Sequence, residues 1–100
     1  MSKRTLQKVR AIYAGRVQGV GFRANVLQVA RRYPVTGTVC NVSDGSVELV
    51  ATGRSSDLMK LLQDVDQRMS RNIVHCTVDW GDGDEQEFFE FSITPDKWVE

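Results

Sequence analysis

Between Lys8 and Ala14 apolar and polar residues alternate, with Val9, Ala11 and Tyr13 on one face and Arg10, Ile12 and Ala14 on the other. That is the period of a strand covered on one side. From Phe22 the period lengthens: Phe22, Val26, Val29, Ala30 and Tyr33 recur at helical spacing with Leu27 beside them, and Pro34 stops the helix. Thr36 to Val42 predicts a second strand, Ser43-Asp44-Gly45-Ser46 a hairpin turn with the favoured Asp-Gly pair, and Val47 to Thr52 a third strand closed by Gly53. Leu58, Leu61, Leu62, Val65 and Met69 give the buried stripe of a second helix. Ser55 and Ser56 are its candidate N-caps, Asp57 suits its first turn, and Arg68 and Arg71 suit its end. Ile73 to Trp80 alternates again and predicts a strand with Val74, Cys76, Val78 and Trp80 toward the core and His75, Thr77 and Asp79 outward. Gly81 to Glu85 reads as an acidic turn, Phe88 to Ile93 as a last strand, and Pro95 begins a loose tail in which Trp98 is either tucked against the sheet or exposed.

The order β, α, β, β, α, β with one added strand predicts an α+β, ferredoxin-like βαββαβ sandwich. Two helices lie on one face of an antiparallel sheet of core order 4-1-3-2, with an additional C-terminal strand. A single domain over residues 1–100, with an ordered core over about 7–94, suits a chain of 100 residues. There is no internal repeat, low-complexity segment or linker.

Charge narrows the classes of function. Thirteen basic and thirteen acidic residues cancel, so there is no electrostatic footprint for nucleic acid or an anionic membrane. The start, Met1 to Lys8, carries charge with no apolar run behind it, and no later stretch is long enough to span a bilayer. A soluble cytoplasmic protein is the expectation, and a monomer the default. Cys40 and Cys76 have neither zinc spacing nor the density of a disulfide scaffold, which fits reduced thiols.

The candidate chemistry lies between the first strand and the first helix, in Gly15-Arg16-Val17-Gln18-Gly19-Val20-Gly21-Phe22-Arg23. Three glycines and no acid have the composition of an anion cradle, because glycine lets successive N–H groups converge on one ligand, although glycine-rich strand-to-helix turns are common and many bind nothing. The helix that follows adds its own unpaired N–H groups and the positive end of its dipole. Arg23, in the first turn, leans back toward the loop and offers a planar fork for a phosphate. Gln18 is expected to contribute its backbone rather than its side chain, and Arg16 either adds charge at the mouth or is merely solvated. The Walker pattern is absent. Gly19-x-Gly21-x-x-Ala24 meets the loose dinucleotide fingerprint, but that reading needs more βα units than a chain this short supplies.

In the predicted topology the first two strands run parallel with the third between them, so Asn41 comes to the same sheet edge as the cradle. An amide both donates and accepts, as holding and aiming a water requires, although asparagine beside a turn is by itself most simply a turn former. Alternation turns Cys40 to the other face, and His75 reads as a surface residue.

These residues carry a family resemblance. Gly15 to Arg23 resembles the first signature of the acylphosphatase family nearly letter for letter, and Gly37-Thr38-Val39-Cys40-Asn41-Val42-Ser43-Asp44-Gly45-Ser46-Val47-Glu48 resembles its second. The resemblance runs from the first strand to the Phe88 to Ile93 segment. It implies hydrolysis of small acyl phosphates without metal or other cofactor, with the backbone of Val17, Gln18, Gly19, Val20 and Gly21 binding the phosphoryl group, Arg23 as the phosphate-binding arginine and Asn41 orienting the hydrolytic water. Departures from the common pattern fall at Ala24, where an aromatic often follows the arginine, at Thr38 for a tryptophan, at Cys40 for a basic residue and at Thr52 for an acid. They bear on affinity and acyl preference rather than on the cradle.

Two other classes compete. A non-catalytic anion-binding accessory module is the first, since such domains also resemble the N-terminal part of larger carbamoyl-transferring maturation proteins; a self-standing chain ending at Glu100 weighs against it. A nucleic-acid binder on the same plan is the second. The strand that should carry stacking aromatics, Ser46 to Thr52, has none.

Overall fold

The computed structural model of the chain describes residues 5–99. In chain order the elements are β1 (Gln7–Gly15), α1 (Phe22–Ala30), β2 (Thr36–Asn41), β3 (Val47–Gly53), α2 (Ser55–Met69), β4 (Ile73–Asp82) and β5 (Phe91–Ile93). They form a five-stranded sheet of order β4-β1-β3-β2-β5. The expected order 4-1-3-2 holds, and the added strand lies outside β2. It runs parallel to β2, with Gly37, Thr38 and Val39 opposite Phe91, Ser92 and Ile93, so the sheet is mixed rather than purely antiparallel. Among the described residues no helix is long and apolar enough to cross a membrane.

Alternation sorts the sheet into two faces. Val9, Ala11 and Tyr13 pair with Ala51, Leu49 and Val47, and all six are buried with Val26, Val29, Leu58, Leu61 and Val65 of the helices in one cluster. Burying each of the larger aliphatic side chains stabilises the fold by about 1.5–3 kcal/mol. The other face carries polar residues. Glu48, only 7 % exposed, is held there by Arg10 Nε at 2.7 Å and Lys97 Nζ at 3.2 Å. Two cations and their hydrogen bonds offset the cost of burying that carboxylate.

Local expectations differ from the structure in four places. The α-helical part of α1 ends at Ala30 and continues as turns to Pro34. Neither Ser55 nor Ser56 caps α2: the N-cap is Arg54 in an extended conformation, with no side-chain cap. The last strand starts at Phe91 rather than Phe88, because residues 84–87 are tied into a turn by Glu87 N–H to the Asp84 carbonyl and Gln86 N–H to its carboxylate. In β4 only Ile73 and Cys76 pack against the core, while Val74, Val78 and Trp80 are 85 %, 39 % and 45 % exposed. Ala14 faces His75 and Gly15 faces Ile73, so Val74 is an inserted bulge residue turned outward. Val78 and Trp80 pair with Ala11 and Val9 and share their face, but they lie on the edge strand of the sheet and stay partly open to solvent.

Trp98 is exposed. The tail before it is nevertheless tied down along the edge of β2. Thr94 N–H donates to the Val39 carbonyl, Lys97 N–H to the Asn41 carbonyl, and Ser43 N–H to the Lys97 carbonyl.

Candidate active site

The loop between β1 and α1 is fastened at its base and open at its top. Val17 and Phe22 are both 1 % exposed, and the Phe22 ring packs on Tyr13 with centroids 5.0 Å apart. These two apolar pegs hold the ends of the turn. Between them Gly19 and Gly21 have φ of +75° and +79°, a left-handed conformation that costs other residues energy and that turns successive amides toward one side. Gly21 is also the N-cap of α1, and with no side-chain cap there the first-turn amides stay available to a ligand.

None of the amides from Val17 to Gly21 donates a hydrogen bond to any described residue, whereas the flanking Arg16 N–H donates to the Asn72 carbonyl and Asn25 N–H to that of Gly21. A run of free donors beside the positive end of a helix is an arrangement able to receive an anion. Arg23 follows in the first turn, its side chain 38 % exposed. Together with Gly19, Gly21, Ala24 and Ile93, and with Val17 and Phe22 beneath, it lines a cleft of about 220 Å³. That is smaller than the usual pocket for a drug-sized molecule, and it suits a group of phosphoryl size.

Asn41 does not line this cleft, but two ties bring it to the same end of the sheet. The Gln18 side chain donates from Nε2 to the Val42 and Ser46 carbonyls, each at 2.8 Å, which fastens the loop to the strand end that carries Asn41. The side chain of Gln18 thus has a structural task beyond the backbone role expected of it. A long-range tie of this kind has no local signal, because only the fold brings the β2–β3 turn beside the loop. The second tie is the bond from Lys97 N–H to the Asn41 carbonyl, with Asp96 just before it reaching Arg23 Nη1 at 3.9 Å.

Asn41 lies opposite Val47, on the face of the sheet that the helices cover. Its Oδ1 is buried and accepts no hydrogen bond from a described residue. Leaving a buried acceptor unpaired typically costs about 1–3 kcal/mol, a cost that a donor from water or ligand would remove. Thr52 Oγ1, at the other end of the sheet, is also unpaired, and nothing in the structure explains it.

The remaining candidates stay apart from the cleft. Cys40 is buried opposite Glu48 on the polar face. Burial pushes its thiol above the ordinary range, with Glu48 adding to the rise, the reverse of what a nucleophile needs. His75 is exposed on β4. Arg16 is exposed as well and lines no part of the cleft. The turn after Asn41 is closed by side-chain bonds: Ser46 donates from both its backbone N–H and its hydroxyl to the Asp44 carboxylate, and these bonds hold that carboxyl below its usual range. Among the described residues no three His, Cys, Asp or Glu side chains come together as metal ligands would.

Comparison with known proteins agrees with this architecture. Residues 9–93 match the family model described as Acylphosphatase. A protein named Acylphosphatase from Salinibacter ruber is 45 % identical over 84 residues, covering 82 % of this chain and 87 % of that one. Another of the same name from Pasteurella multocida is 37 % identical over 86 residues, covering 86 % and 96 %. The crystal structure of acylphosphatase from Bacillus subtilis superposes with a TM-score of 0.78 at 30 % identity, covering 88 % of this chain and 98 % of that one.

Proposed function

The chain belongs to the acylphosphatase family, and from that premise we propose that it hydrolyses the carboxyl-phosphate bond of acyl phosphates, with the Val17 to Gly21 amides and Arg23 binding the phosphoryl group and Asn41 orienting the attacking water. The observation that carries this reading is the run of free amides between Gly15 and Arg23, capped by no side chain and followed by a guanidinium. The buried, unpaired Oδ1 of Asn41 supports the water-holding role, since an amide oxygen accepts one proton of a water and so aims its lone pair.

The reaction is R–CO–O–PO₃²⁻ + H₂O → R–COO⁻ + H₂PO₄⁻. The bond broken is that between phosphorus and the acyl oxygen, and the bond formed is that between phosphorus and the water oxygen. The leaving carboxylate, with a pKa of roughly 4 to 5, departs without a proton. No general acid is needed. Phosphoryl transfer passes through a loose transition state whose charge lies largely on the equatorial oxygens. Donors fixed in advance toward those oxygens, and a water held in line, therefore supply most of what catalysis requires. By the same logic the reaction runs without a metal.

The test is phosphate release from acetyl phosphate by the purified protein in the presence of a chelator, with Asn41→Ala alongside. Turnover by the parent and its loss in the variant are expected. Phosphate binding without turnover by the parent would favour the accessory anion-binding module instead.

A further inference from the structure

Among the described residues Asp96 is the acid paired with the site's arginine, with Oδ1 3.9 Å from Arg23 Nη1. It is not on a loose end. The residues around it are bonded along the edge of β2, with Thr94 N–H on the Val39 carbonyl at 3.0 Å and Lys97 N–H on the Asn41 carbonyl at 2.8 Å. Lys97 is held again by its ammonium on Glu48. The backbone on either side of Asp96 is thus fixed along β2, and its carboxylate reaches Arg23 from there. The pair itself is long and open, with side-chain exposures of 38 % and 64 %, so it does little for stability. Its weight falls on whatever other anion Arg23 is to bind.

We propose that Asp96 is a built-in competitor for Arg23, a specificity-determining residue that weakens the hold of the site on anions and so speeds release of the phosphate product. The inference rests on the phosphate-binding role of Arg23 proposed above. A carboxylate beside the guanidinium opposes a second anion in two ways. It must be displaced from the fork, and once displaced it repels the incoming charge, more strongly for a doubly charged phosphoryl group than for a singly charged one. Neither Gly19, Gly21, Ala24 nor Ile93, which line the cleft with Arg23, offers a charge that would offset it.

The test is the dissociation constant of inorganic phosphate, measured by calorimetry on the parent, Asp96→Asn and Asp96→Glu at low and at molar salt. Asp96→Asn is expected to bind phosphate on the order of three- to ten-fold more tightly at low salt, and the gap should close at molar salt where exposed charges are screened. Asp96→Glu, which restores the charge, should return most of the way to the parent value. Phosphate binding that is unchanged or weaker in Asp96→Asn would overturn the proposal, the weaker case showing that Asp96 positions Arg23 instead. Binding does not depend on turnover, so the two readings fail separately. If Asp96→Asn tightens phosphate while neither protein hydrolyses acetyl phosphate, the reaction assignment falls and the role of Asp96 stands. If the parent binds no phosphate, both fall.

Discussion

The two edges of the sheet are built in opposite ways. At one edge β4 runs for 10 residues beside β1, yet most of it is exposed and its bulge turns Val74 to solvent. At the other edge β5 has 3 residues, but the chain beyond it stays bonded to β2 as far as Lys97, and Glu48 holds that tail to the sheet. The cleft, Arg23, Asn41 and Asp96 all belong to the second edge. A long exposed strand closes the sheet; a short strand with an anchored tail supplies groups to a site. Strand length is thus a poor guide to which edge of this sheet the cleft lies beside. What matters is which edge the strand-to-helix loop with free amides lies beside.

The largest effects are expected at the site itself. Arg23→Ala and Asn41→Ala should each lower kcat/KM for acetyl phosphate by about 10²- to 10³-fold, as expected for loss of one preorganised donor or of the aimed water. Both should keep the parent's thermal midpoint within a few degrees. Loss of phosphate binding should accompany the first and not the second.

Gln18→Ala should come next. It removes two hydrogen bonds to carbonyls that also accept from the Val42 and Gly45 amides, so the expected loss in stability is about 1–2 kcal/mol. The loop would no longer be tied to the Asn41 end of β2, and a fall in kcat of about ten-fold should follow with a smaller change in KM. Steady-state kinetics with a urea titration separates the two effects.

Asp44 offers a pH test of the turn beside the site. Its carboxyl is held below the ordinary range by the Ser46 hydroxyl and amide. The ionised group therefore contributes stability at pH values above the unfolded carboxylate range near 4, and that contribution disappears as the pH falls through the depressed value. Urea midpoints of the parent and Asp44→Asn should accordingly differ at pH 6 and converge in acid. A difference that persists in acid would mean that the turn is held by something other than this carboxylate.

The smallest effect belongs to the opposite edge. Val74→Lys replaces an outward-facing bulge residue and should change stability by no more than about 0.5 kcal/mol and activity not at all. A large loss in either would show that β4 is covered in solution and that the two edges are less different than their exposures suggest.

Much of this was legible along the chain, and the reasons differ from element to element. The alternation in β1, the helical stripes of α1 and α2 and the Asp-Gly turn each express a local period or a local backbone preference, so element order and the arrangement 4-1-3-2 followed from them. The Gly15 to Arg23 loop was legible for the same reason: its glycines and its arginine are contiguous. β4 was misread because alternation reports which way a side chain points, not whether anything stands opposite it, and because a one-residue bulge moves the phase at Val74. The cap of α2 was misread because serine is a favoured cap only where the backbone leaves the helix, and here it leaves at Arg54.

Local patterning along the chain sets the stripes of α1 and α2, the faces of β1 and the chain's place among α+β sandwiches, and it puts three glycines and an arginine in one loop, since all of these depend on residues within a few positions of one another. Tertiary structure alone decided that Gln18 reaches the carbonyls of Val42 and Ser46, that the tail aligns with β2, and that Asp96 stands beside Arg23. Those contacts join residues 24, 28 and, for Arg23 and Asp96, still more positions apart. No periodicity records such a pairing. It exists only once the hydrophobic face has closed and the sheet has set which ends lie side by side.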